Sequence, residues 1–387
     1  MRVVLLIGDL DRGGAEKQLM LLADSLGRLG HEVLVLAVHG GPREVEFRQR
    51  GIEYRTMRPT GPPRARPRPP GGSLLAARFR AVPGRVAKLV DWSVRPAWWL
   101  FRELRTVRPD VLHAFLPRTN LLACVVGRWA RVPVVVVGRR SLGHYWADHR
   151  LLDRGERVLT RRASCVVTNS VAIADQVVER SEIEPSRVHV IANAIEPSWL
   201  VGQPERAGRP VCWRFVTVSN HREVKDLFTL VEALDRVHAA GLEFVWSLVG
   251  DGFLRPALDE AASTRPWMRL LGALDETDVR AELDASDVYL GSSRTEGMSN
   301  SIMEAISRHL PTIATDVGGT HELVGTAGVL VEAGRPDLLA AEIVRVTGDA
   351  ELVERLRAAS ALRATGFRTP NDTALEHVRL YQRYERH

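Results

Sequence analysis

Short runs rich in β-branched residues alternate with segments of helical period along nearly the whole chain, and the alternation stops and restarts near its middle. Runs at 2–8 (RVVLLIG), 32–38, 111–115, 132–137 (VPVVVV), 164–169 and 187–192 form a first series. Runs at 213–219, 243–250, 268–272, 287–292, 311–315 and 327–332 form a second. Strand-length apolar runs separated by helices predict parallel sheets covered on both faces. Between the two series, LVGQPERAGRP marks a linker around 200–210. The expected fold is therefore α/β, two Rossmann-like halves at 1–205 and 206–387, with a last helix around 371–385. In such a fold a ligand crevice lies where the carboxyl ends of the two sheets face each other.

Composition narrows the class further. With 387 residues and 45% hydrophobic content the chain has ample material for two cores, which excludes disorder as its dominant state. Three cysteines, Cys124, Cys165 and Cys212, lie far apart with no metal-ligand spacing, so a disulfide scaffold is excluded and a reducing cytoplasm is expected. The opening MRVVLLIGDLDRGG reads as a first buried strand, and no run approaches the length of a membrane span. The net charge of +6 comes from arginine, since lysine occurs at only three positions, Lys17, Lys88 and Lys225. Basic residues crowd 55–108, where the only acids are Asp91 and Glu103. The Pro/Arg-rich segment 59–72 reads as a surface loop. The aromatic and basic stretch 74–108 fits either a membrane-surface contact or a core-facing helix pair. Nucleic acid is not expected as a partner, because no recognised binding motif accompanies the arginines.

Four places carry candidate chemistry. SSRTEGMSNSIMEAI, Ser292 to Ile306, begins at a strand end; Ser299 and Asn300 are placed to cap a helix that carries Glu304. The amides of Gly297, Met298, Ser299 and Asn300 would offer positive potential to an anion, with Glu296 and Glu304 on either side to hold hydroxyls. Glutamates near a helix start also simply favour its dipole, so spacing alone leaves both readings open. Gly13 and Gly14 follow the first strand and open a helix, which lets backbone approach a diphosphate. In SNHREVKDL (219–227), Lys225 is an unusual cation in a chain that nearly avoids lysine. His113 stands at the end of the 111–115 strand, either facing the crevice or as a structural histidine. Asp9 and Asp11 are read as solvated loop acids, too few for a hard-cation cage.

Taken together these segments resemble the retaining family 4 glycosyltransferases with the GT-B fold, in which two Rossmann-like α/β/α domains face each other across a cleft. Ser292–Ile306 is similar to that family's glutamate–seven residues–glutamate motif. The stretches 8–33, 190–197, 248–258, 270–279 and 314–324 also agree in order and spacing. The resemblance implies that Glu296 contacts the donor sugar, Glu304 the nucleotide ribose, and Lys225 the diphosphate. It also implies that Gly13 and Gly14 border the donor phosphates, that the last helix returns to the first domain, and that no bound metal or cofactor is needed. Three positions depart from the pattern. Asn220 stands where the family has an arginine, which leaves Arg222 to supply that charge. Phe115 replaces a sugar-contacting histidine, and Ala192 and Ala194 replace proline and glycine.

The implied activity is transfer of a sugar from a nucleotide-diphosphate donor, a UDP-sugar by preference, to a hydroxyl of a lipid-linked or cell-envelope glycan. The implied location is cytoplasmic, at the inner membrane face. A non-catalytic sugar-nucleotide-binding subunit, or an epimerase or hydrolase of the same fold, is the alternative.

Overall fold

The computed structural model describes residues 1–58, 82–142, 150–204 and 210–385. The Pro/Arg-rich segment 59–72 lies outside them. The first sheet has seven strands: β1 (Arg2–Ile7), β2 (Glu32–His39), β3 (Tyr54–Arg58), β4 (Val111–Phe115), β5 (Val134–Arg139), β6 (Cys165–Thr168) and β7 (Val188–Val190). Its order is β3-β2-β1-β4-β5-β6-β7, with every pairing parallel. The second has β8 (Trp213–Val218), β9 (Phe244–Val249), β10 (Met268–Gly272), β11 (Val288–Gly291), β12 (Thr312–Thr315) and β13 (Gly328–Val331). Its order is β10-β9-β8-β11-β12-β13, also all parallel.

Helices on both faces explain why the central strands read as unbroken apolar runs. Val3 through Ile7 of β1 have no solvent exposure, and neither do Val134, Val136 and Val137 of β5. Pro133 has no N–H for the ladder, and β5 begins one residue after it. The edge strand β3, YRTMR, was not read from the sequence. It pairs with β2 alone and is only half-buried, so it needs no apolar run.

Each sheet reverses its strand order once, between β1 and β4 and between β8 and β11. A chain leaving adjacent strands toward opposite sides opens a gap beyond their carboxyl ends, and ligands of this architecture bind there. The segments following β1, β4, β8 and β11 are those that hold Gly13–Gly14, Phe115–Leu116, Asn220–Lys225 and Ser292–Asn300.

The final helix, α14 (Pro370–Glu385), does not stay with the second sheet. Its Ala374, Leu380 and Tyr381 join the core of the first, beside Leu5, Leu22 and Val136. The chain thus crosses between halves twice. At the two crossings, the Ile195 amide donates to the Arg368 carbonyl at 2.9 Å.

Helix α3 (Val82–Val107) carries the described part of the aromatic stretch. Leu100 and Leu104 are buried in a core with Leu6, Leu36 and Ala114, while Trp98 is 63% exposed and stacks on Phe101. Among the described residues, no helix is long and apolar enough to cross a membrane.

Candidate active site

Glu296 sits in the loop after β11, and Glu304 lies on α10 (Asn300–Ser307). Ser299 caps that helix, its side chain accepting from the Ile302 amide. Both glutamates are paired. Lys225 Nζ bonds Glu296 Oε1, and the Ser293 hydroxyl donates to the same oxygen at 2.7 Å. Lys225 occupies a single 3-10 turn, Glu223–Lys225, ahead of α7 (Leu227–Ala239). That turn is tied to the glutamate loop twice: the Ser292 hydroxyl donates to the Lys225 carbonyl at 2.8 Å, and the Arg294 amide to the Val224 carbonyl at 2.8 Å. A cavity of about 20 Å³, bordered by Thr217, Lys225, Tyr289 and Glu296, opens beside the pair.

Glu304 is held differently. Lys17 Nζ, on α1 (Gly14–Arg28) of the first half, lies 2.8 Å from Glu304 Oε1 and 3.1 Å from Glu276 Oε2. Lys17 also stands over the Trp199 ring, 5.1 Å from its centroid. The sequence reading did not single out Lys17 or Glu276. The scarcity of lysine was the available signal, since two of the chain's three lysines stand on the two motif glutamates.

The halves meet closely around these residues. Asn300 Nδ2 donates to the Gly14 carbonyl at 3.1 Å, and Asn300 Oδ1 accepts from Gln18 Nε2 at 3.2 Å and Asn193 Nδ2 at 2.8 Å. Asn193 Nδ2 also donates to the Met298 carbonyl at 3.0 Å. A Cβ at Gly297 would collide with the Arg140 carbonyl, so only glycine allows the glutamate loop to approach the first half this closely. Glu322 of α11 (Thr320–Val324) accepts from the Val171 and Ala172 amides, each at 2.9 Å. These are the first amides of α6 (Val171–Ser181), so a second-half carboxylate caps a first-half helix.

Gly13, Gly14, Glu296, Gly297, Met298, Ser299, Asn300, Glu304 and Lys225 are all brought to this crevice. One candidate is corrected. His113 does not face it. The ring is fully buried in the first-half core, with Nδ1 2.8 Å from the Tyr381 hydroxyl, stacked on Phe115 and 5.4 Å from the His377 ring. Burial, with His377 and Arg140 nearby, holds its pKa well below the usual value, so it stays neutral. The alternation of β4 places it under α14, a helix nearly two hundred and seventy positions later in the chain. Arg222 lies outside the Lys225–Glu296 pair: it is exposed and enters no ion pair among the described residues, which leaves its side chain available to a ligand. Asn220 is half-buried, with Oδ1 enclosed and unbonded.

The missing glycine at Ala194 has no steric consequence. Ala194 is not among the positive-φ residues, and its amide and carbonyl are both bonded by the Gln18 side chain at 2.8 Å. Arg140, at the end of β5, lies over the Phe115 ring (4.8 Å) and donates to Asn193 Oδ1 at 2.7 Å. Burial lowers its pKa to about 10. Glu16, beside Gly13, is 7% exposed, and burial raises its carboxyl to about 7. No cluster of three or more metal-ligating side chains occurs among the described residues.

Two facing parallel sheets, with paired carboxylates and lysines gathered at both switch points, define a two-domain enzyme of the GT-B architecture. Residues 213–349 match the family described as glycosyl transferases group 1, and residues 13–194 match the glycosyl transferase 4-like domain. The chain belongs to the family 4 GT-B glycosyltransferases. It is 29% identical to the 2-deoxystreptamine N-acetyl-D-glucosaminyltransferase of Streptomyces fradiae, over 95% of this chain and 91% of that one. It is 28% identical to the putative teichuronic acid biosynthesis glycosyltransferase TuaC of Bacillus subtilis, over 64% of each. The fold superposes on the Anabaena protein HepE, solved with UDP and glucose, with a TM-score of 0.78, 18% identity and 99% of both chains covered.

Proposed function

We propose that this glycosyltransferase moves a hexosyl group from a UDP-sugar to an acceptor hydroxyl and retains the anomeric configuration. The observation that carries the reading is the pairing of each motif glutamate with a buried or half-buried lysine at the switch points. Glu296 would orient the sugar and Glu304 would accept from the ribose hydroxyls. Lys225 and the amides after Glu296 would stabilise charge on the departing diphosphate. The sugar C1–O bond to phosphate breaks as the bond to the acceptor oxygen forms, and the acceptor proton passes to the leaving phosphate on the same face. No bound metal is required, since fixed cations supply the counter-charge. Uridine is favoured because HepE, alike over its whole length, binds UDP.

For the acceptor, the lipid-linked or cell-envelope glycan expected from the basic, aromatic stretch is supported by the likeness to the teichuronic acid relative. Membrane contact through 74–108 belongs to that reading, with exposed Trp98 as its described candidate. A second reading, a small amino-bearing acceptor such as an aminocyclitol, is favoured by the acids Asp9 and Asp11, exposed beside the Gly13–Gly14 loop. It accords with the longest match to a relative described above.

The test is a thermal-shift panel of nucleotides and nucleotide sugars with and without a chelator, followed by transfer assays on both acceptor classes. A chelator-insensitive shift with UDP, lost in Glu304→Ala, and an α-linked product from an α-linked donor are expected. Donor consumption without an acceptor would point to a hydrolase or epimerase. No shift with any nucleotide would point to a non-catalytic subunit.

A further inference from the structure

Glu304 belongs to the second half, yet the ion pair that holds it comes from the first. Lys17 projects from α1 across the crevice to two second-half carboxylates, Glu304 at 2.8 Å and Glu276 at 3.1 Å. Its side chain is 13% exposed and that of Glu304 is 10% exposed, so neither charge is well solvated. A lysine in that position keeps its charge only with anionic partners. Burial opposes the charge and the two carboxylates more than offset it, leaving the Lys17 pKa above its ordinary value. The dependence runs both ways: without the ammonium, Glu304 and Glu276 would be two carboxylates converging on one spot with no cation between them. Glu276 has a second partner, the Trp199 indole N–H at 2.8 Å, whereas Lys17 is the cation on Glu304.

We propose that Lys17 is a positioning residue for donor binding: by reaching across the crevice it holds the Glu304 carboxylate aimed, so that the ribose end of the donor site is complete only when the halves are together. The inference rests on the reading of Glu304 as the ribose contact. It makes donor recognition a shared property of both halves, because a ligand that needs Glu304 held by Lys17 favours the closed arrangement by its differential affinity for it. At Glu296 no such coupling exists, since Lys225 comes from the same half.

The experiment titrates UDP calorimetrically into the full chain and into Lys17→Met, Lys17→Arg, Glu276→Gln and Glu304→Ala, with donor KM and kcat measured on the same proteins. Lys17→Met should weaken UDP binding on the order of tenfold, the size expected for loss of a charge-assisted bond. Donor KM should rise more than kcat falls, Lys17→Arg should recover most of the affinity, and Glu276→Gln should keep it. Small-angle scattering should show UDP compacting the native chain more than Lys17→Met. Unchanged UDP affinity in Lys17→Met, with affinity lost in Glu304→Ala, would overturn the positioning role and leave the ribose reading intact. Tighter binding in Lys17→Met would overturn it too, because Lys17 would then compete with ribose. A loss in Glu276→Gln equal to that in Lys17→Met would make the cluster merely structural. Unchanged affinity in Glu304→Ala would remove the ribose reading itself. If Lys17→Met fails to fold, Lys17→Gln carries the same comparison.

Discussion

The two ends of the proposed donor site, with Glu296 at the sugar and Glu304 at the ribose, are built from the same pair of residue types, a glutamate and a lysine, but by different routes. At the sugar end, Glu296, Lys225 and Ser293 all belong to the second half and are linked by short loops. At the ribose end, Glu304 is in the second half and Lys17 is in the first. A site contained in one domain keeps its electrostatic arrangement whether the crevice is open or closed, so its charges pay no reorganisation during reaction. A site shared between domains exists only on closure, so it reports on closure. The sugar end is therefore suited to chemistry and the ribose end to recognition coupled to motion.

The strongest way to break this contrast is at the sugar end. Glu296→Ala should lower transfer by roughly 10²- to 10³-fold, typical of removing a preorganised group at the reacting centre, with UDP affinity little changed. A comparable loss of UDP affinity would show that the two ends are not separable. Next in size, Glu304→Ala should weaken UDP binding by roughly 10- to 100-fold through lost charge-assisted hydrogen bonds, while kcat at saturating donor falls less. Calorimetry alongside steady-state kinetics separates these two outcomes.

One residue before Lys17, Glu16 allows a test of α1 itself. Burial raises its carboxyl from 4.5 to about 7, so the folded chain holds that proton more tightly than the unfolded chain. Its contribution to stability is fully present below pH 4.5 and is lost as pH rises through about 7, a change of about 3 kcal/mol. Urea unfolding below and above that window should show the fall in the native chain and its absence in Glu16→Gln. The smallest effect is expected at Glu322, which caps α6 across the crevice. Glu322→Ala removes two hydrogen bonds to amides that water can replace, so donor KM should rise only about threefold, with a larger radius of gyration in scattering. A kcat loss as great as that of Glu296→Ala would place the clamp in the chemistry instead of in closure.

Much of the frame was legible because parallel strands covered on both faces must be apolar along their whole length. β1 and the valine run of β5 announce themselves in this way. β3 did not, because an edge strand with one neighbour is stable on half-buried, mixed side chains. Ser299 was readable as a cap because capping depends on a residue and the three that follow it. His113 could not be placed on the crevice side or the core side for the opposite reason. Its neighbours under α14, His377 and Tyr381, are far away in sequence, and nothing local distinguishes a strand-end histidine facing a crevice from one facing a helix.

The sequence by itself determined two parallel α/β halves, the join between them, and the glutamate motif at a strand end, since hydrophobic period, turn residues and helix caps act over a few positions. Tertiary structure alone decided that His113 lies under α14 and that Lys17 meets Glu304. Those outcomes depend on how two separately folded surfaces pair their buried polar groups, and a buried polar group takes whatever partner the packing brings within reach, however distant in the chain.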